Sequence, residues 1–139
     1  MTTYLEPSYL EAAALPAWRV WSGWIVTGLA MAFLTFDGVT KVLRVTPVVE
    51  ASKQLGLPPE TTVPIGLLLL GCTLIHLIPR TTILGAILLT GYLGGATAVQ
   101  VRAGNGTFPV VFSVGFGVLV WAGLALRDPR LLGWVLKGP

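Results

Sequence analysis

Asp37 and Lys41 stand four residues apart inside an otherwise apolar stretch, WIVTGLAMAFLTFDGVTKVL, so on a helix they meet across one turn. A carboxylate in or near hydrocarbon is costly unless it is paired or faces a polar cavity, which makes it a functional candidate by default. Asp37 has the chemistry of a general acid or base, and Lys41 that of its electrostatic partner. Gln100 and Arg102 close another apolar run, and Tyr92 sits in its middle. Gln100 and Tyr92 can hydrogen-bond a ligand oxygen, and Arg102, Arg44 and Lys41 can hold a phosphate or headgroup. A bland reading stands beside this one: an ion-pair network that fixes helix ends at the interface while Lys41 and Arg102 snorkel.

Cys72 and His76 are also four apart. One thiol and one imidazole do not complete a metal site, which takes three or four protein ligands, so no metal centre is expected. His76, the sole histidine, can offer a single axial ligand to haem, and the lack of a second one within a protomer weighs against that cofactor. With Cys72 the sole cysteine there is no intrachain disulfide and no Cys-x-x-Cys pair, which excludes a dithiol oxidoreductase of the vitamin K epoxide reductase type.

The elements that must position these groups follow from where charge is missing. Four runs contain none: Val20–Phe36, Thr61–Pro79, Thr81–Val101 and Ala103–Leu126, of 17, 19, 21 and 24 residues. Each approaches the roughly 20 apolar residues that carry a helix across a hydrocarbon core of about 30 Å. Hydrophobic residues make up 54% of the chain, charged residues 11%, and mean hydropathy is +0.80, which excludes an ordinary soluble domain. The basic residues are spread singly, so the net charge of +3 does not indicate nucleic-acid binding.

The fold expected is an all-α integral membrane protein: one membrane domain, residues 1–139, with spans over 17–44, 61–78, 81–101 and 109–126. The lead-in MTTYLEPSYLEAAALPAW has no basic start and carries Glu6 and Glu11, so it reads as a short amphipathic or irregular segment, not a cleavable signal. Trp18, Trp21 and Trp24 give the first span an aromatic face at its start, as at a headgroup boundary. Thr46-Pro47 opens a short interfacial helix over 47–55, with Glu50, Lys53 and Gln54 toward water. The link Pro79-Arg80-Thr81 forces spans two and three into an antiparallel hairpin. AGNGT (103–107) turns the chain into span four, and Leu131, Leu132, Trp134 and Leu136 anchor the tail at the interface.

Four spans place both termini on one side, with Arg19, Arg80, Arg127, Arg130 and Lys137. Lys41, Arg44, Lys53 and Arg102 lie on the other. The small excess favours cytoplasmic termini in a multi-pass protein of the inner (cytoplasmic) membrane. Spans one and three run in the same direction, which brings Asp37, Lys41, Gln100 and Arg102 to one membrane level. In span three, Gly91 with Gly95 and Gly94 with Ala98 form small-x-x-x-small ridges. Their expected use is close packing, against span one or across the seam of a homo-oligomer, so that Gly95→Leu would clash. The other use is to leave room for a flat ligand.

FDGVTKVL, then PVVEASKQLGLP, then LIPRTTILGAILLTGYLGGATAVQVRAG, then WAGLALRDPRL resemble the DoxX-like family of small four-span bacterial membrane proteins. The resemblance runs from about Phe33 to Leu131. Asp37, Lys41, Pro47, Gly56, Pro79, Arg80, Gly85, Tyr92, Gly94, Gly95, Arg102 and Asp128 fall on recurrent positions. Gln100 departs from the pattern, since many relatives carry His there, and Gln can hydrogen-bond but not carry a proton. The resemblance implies a membrane component linked to redox physiology: a small subunit of, or partner to, an oxidoreductase that draws on the quinone pool. Two other functions compete with it. One is an enzyme acting on a small lipophilic substrate with Asp37 as acid/base, and the other is a non-catalytic oligomeric scaffold or lipid-binding module.

Overall fold

The computed structural model describes residues 15–137; the lead-in segment before Leu15 lies outside the described residues. Helix α1 (Ala17–Val42) starts after Pro16, whose fixed φ suits a helix entrance, and ends two residues short of the expected boundary. Its exit is a Schellman-type turn: Val45 N–H bonds the Thr40 carbonyl at 3.1 Å, and Arg44 takes the left-handed position at φ 52°. Such a position usually belongs to glycine.

The amphipathic α2 (Thr46–Gln54) follows, with Pro47 in its first turn, and a 3-10 turn (Pro59–Thr61) leads into α3 (Thr62–Leu77). A tight link joins α3 to α4 (Thr82–Ala103), where Thr81 Oγ1 donates to the Ile75 carbonyl at 2.9 Å and Thr82 Oγ1 to that of Ile78 at 2.9 Å. Gly104, left-handed at φ 68°, ends α4, and α5 (Thr107–Arg127) completes the spans. Four of these segments, Ala17–Val42, Pro59–Leu77, Thr82–Ala103 and Thr107–Arg127, are long and apolar enough to cross a membrane.

The tail, expected only to anchor at the interface, forms a further helix, α6 (Pro129–Lys137). Asp128 caps it by accepting the Arg130 N–H at 2.9 Å.

Span α1 packs on α3 and α5, and α4 packs on the same two, so α1 and α4 face each other across the diagonal of a four-membered ring. Ala30, Met31, Leu34, Leu69, Cys72, Ala86, Leu89, Leu93, Val120 and Leu124 fill its centre. Outside, Trp18, Trp21, Leu29, Phe36, Leu67 and Phe108 are exposed, as lipid-facing side chains should be.

The close helix contacts fall on glycines other than those of the α4 ridge. A β-carbon on Gly66 would come to 2.8 Å of the Gly38 carbonyl, and one on Gly23 to 2.9 Å of the Gly123 carbonyl. Gly85 sits directly against the His76 backbone. By contrast, β-carbons on Gly91, Gly94 and Gly95 would meet nothing within 4 Å. The expectation that this ridge packs against span one is therefore wrong, because the diagonal placement holds α4 away from α1.

The two sets of glycines should separate in a thermal melt of the detergent-solubilised protein. Gly66→Val must push α1 off α3 and is expected to cost about 1–3 kcal/mol, the usual range for overpacking, with a clear fall in Tm. Gly95→Leu is expected to melt like the parent. Equal losses for both would contradict the assignment of contacts.

Candidate functional site

Because α4 stands back from α1, the half of the ring away from the termini is hollow. A cavity of about 640 Å³ opens there, reaching from the ion pair of α1 to the glycines of α4. Asp37 and Lys41 lie on its wall and pair directly, with side chains 31% and 19% exposed, so both are turned from the lipid face into the bundle. Helix α2 and the segment after it roof the cavity through Ser52, Leu55 and Leu57. Its lower part is apolar, with Leu34, Leu68, Cys72 and Leu93.

One side is aromatic. Phe33 of α1 stacks on Phe116 of α5 with ring centroids 4.6 Å apart, and Phe112 meets Phe33 edge-on at 5.4 Å. All three rings line the cavity, and Gly91 and Gly95 lower another part of its wall. A slot bounded by rings and by backbone without side chains suits a flat molecule.

Of the residues singled out in the sequence, Asp37, Lys41, Tyr92 and Gln100 all line this one cavity. Tyr92 is partly buried and packs against the core. Gln100 spends its side-chain carbonyl on the Asn105 amide at 3.0 Å. Arg102 is not brought into the cavity. Its Nη2 donates, at a long 3.4 Å, to the Leu55 carbonyl at the end of α2, where a cation also complements the helix dipole. Arg102 thus ties the roof to α4. Arg44 is exposed on the turn between α1 and α2 and does not line the cavity. His76 is at the opposite end of the bundle. No cluster of three or more potential metal-ligating side chains occurs among the described residues.

Two parts of the site were missed in the sequence. The aromatic wall had a signal in Phe108, Phe112 and Phe116, spaced four apart on one helix face. Thr62 had none. Thr62 borders the cavity, and its buried Oγ1 has no hydrogen-bond partner among the described residues. A buried hydroxyl without a partner costs free energy that a ligand oxygen can recover.

A second hollow, of about 680 Å³, runs outside the ring between α4, α5 and α6, where Gly94 faces Gly117. Its hydroxyls are already spent: Thr90 bonds the Ala86 carbonyl at 2.7 Å, Thr97 that of Leu93 at 2.8 Å, and Ser113 that of Pro109 at 3.1 Å. It offers shape without orientation, as expected of a surface filled by lipid chains.

A family model described as the DoxX-like family matches residues 25–123, most of the chain and every span. The chain belongs to the DoxX-like family. Neither the curated proteins nor the solved structures gave a match. The DoxX-like match covers Asp37, Lys41, Thr62, Tyr92, Gln100 and all three cavity phenylalanines.

The ion pair should be coupled. Asp37→Asn leaves the Lys41 ammonium partly buried and unpaired, and is expected to lower stability by about 1–3 kcal/mol, less than for a fully buried pair. Asp37→Asn combined with Lys41→Met should recover much of that loss. If the double variant melts no higher than Asp37→Asn alone, the pair carries no net interaction.

Proposed function

We propose that this DoxX-like protein binds a lipophilic molecule with a flat ring and a polar oxygen, a quinone fitting that description, in the cavity between its four spans. It would do so as a small subunit of, or partner to, a redox system of the inner membrane. The observation that carries this reading is a hollow walled by three phenylalanines, two glycines and the Asp37–Lys41 pair, bordered by Thr62, whose buried hydroxyl has no partner among the described residues. The volume of about 640 Å³ falls within the range of small-molecule sites. Polar groups gather at the end roofed by α2, and hydrocarbon fills the rest, which matches an amphiphile with its head near one membrane face.

Each group then has a task. Thr62 donates to a ring oxygen, the Asp37–Lys41 pair sets a fixed local dipole, and the phenylalanines stack on the ring or flank it. Asp37 is already engaged by Lys41, which suits it to orienting a ligand and suits it less to acting alone as acid or base. Electrons would come from, or pass to, a partner oxidoreductase. A homo-oligomer is compatible with this role.

Binding of a short-chain quinone analogue to the protein in nanodiscs tests the reading. Gly91→Leu fills open space, so it is expected to fold normally and abolish binding. Thr62→Val removes one neutral hydrogen bond worth about 0.5–1.5 kcal/mol, and should weaken binding by roughly 2- to 12-fold. Unchanged affinity in Gly91→Leu would overturn the proposal.

A further inference from the structure

The end of the bundle nearest the termini carries three buried polar atoms that the proposed function does not use. They come from three different spans. Thr27 of α1 is 2% exposed and His76 of α3 is 1% exposed. Thr27 Oγ1, His76 Nε2 and Arg127 Nη2 of α5 are all buried and, among the described residues, have no hydrogen-bond partner.

They belong to one region. Thr27 packs on Gly123, whose carbonyl accepts the Arg127 Nε–H at 3.1 Å, and the Arg127 side chain lies across Gly23, one turn before Thr27. The guanidinium carbon stands 4.2 Å from the centroid of the Trp24 ring. Helices α1 and α3 run antiparallel with Gly38 against Gly66, so His76, ten residues beyond Gly66, lies level with Thr27, eleven residues before Gly38.

Donor and acceptor roles follow from the contacts already made. His76 Nδ1 is 3.0 Å from the Thr82 carbonyl oxygen, and because a carbonyl only accepts, Nδ1 carries the hydrogen. In the neutral ring Nε2 is then a lone-pair acceptor. Arg127 Nη2 can only donate, and the Thr27 hydroxyl can do both. One donor, one acceptor and one group of either kind form the complement of an amphoteric ligand. A simple anion would satisfy Arg127 but meet the His76 lone pair.

We infer that Thr27, His76 and Arg127 bind an ordered water, which accepts from Arg127, donates to His76 Nε2 and completes its bonding with Thr27. Buried waters of this kind make about three hydrogen bonds to groups otherwise unsatisfied. The water joins α1, α3 and α5, including the diagonal pair α3 and α5, which share little direct contact. The apolar centre formed by Leu34, Leu69, Leu89, Leu93 and Val120 separates it from the Asp37 cavity. The two polar sites are thus distinct compartments at opposite membrane faces.

Nitrogen-15 spectra of histidine-labelled protein in lipid nanodiscs, with water-to-ring magnetisation transfer, test this in the unaltered chain. The expected result is a single neutral tautomer, protonated at Nδ1, with transfer from a slowly exchanging water to the His76 ring. Thr27→Val should weaken that transfer and shift the Nε2 resonance while the fold persists. A doubly protonated ring whose signals respond to added chloride or phosphate would replace the water with an anion and overturn the inference. A ring without water transfer, or one unaffected by Thr27→Val, would overturn it equally.

Discussion

Backbone contact at small residues determines everything else in this bundle. Hydrocarbon gives apolar helices no reason to leave lipid for each other, so association rests on packing. Apart from the α3–α4 hairpin, where Gly85 meets the His76 backbone, packing is close where Gly66 meets Gly38 and where Gly123 meets Gly23 and Thr27. Both contacts belong to α1, which is drawn tightly against its two neighbours. With α1 so fixed, α4 can touch only those same neighbours, and the space between α1 and α4 opens into a cavity. The glycines of α4 widen it because no helix covers them.

Polar groups then distribute according to what the membrane tolerates. An isolated charge at the centre of a bilayer costs at least about 2.5–3.5 kcal/mol. Asp37 and Lys41 lower that cost by pairing, and they lie near the membrane face that α2 roofs. Most threonines and serines within the spans return their hydroxyls to the carbonyl one turn earlier, as Thr73, Thr90 and Thr97 do. Thr27 and Thr62 are exceptions, and each marks one of the two polar compartments.

Much of the architecture was legible because charge cannot be hidden in hydrocarbon. The charge-free runs located all four spans, and Thr46-Pro47 marked the interfacial helix. The parallel directions of spans one and three grouped Asp37, Lys41, Gln100 and Arg102; the first three line one cavity together with the mid-span Tyr92, whereas Arg102 turns to the Leu55 carbonyl outside it. Glycine was the point where reading from sequence failed. Spacing identified Gly91 and Gly95 as a ridge, yet an open ridge and a packed one have the same spacing. Gly38, Gly66 and Gly123, which make the contacts, stand without such a pattern. Thr62 was illegible for a related reason, since its missing partner exists only as a relation between helices.

The account rests on the claim that the inner cavity is a binding site and not an incidental gap. The most direct measurement is a structure of the protein purified in native lipid, read for density between the phenylalanine wall and the Gly91–Gly95 surface. The account predicts a flat, ring-shaped density with a polar atom at hydrogen-bonding distance from Thr62 Oγ1. A cavity closed by α4 moving against α1, or occupied only by acyl chains with Thr62 bonded within the protein, would contradict it.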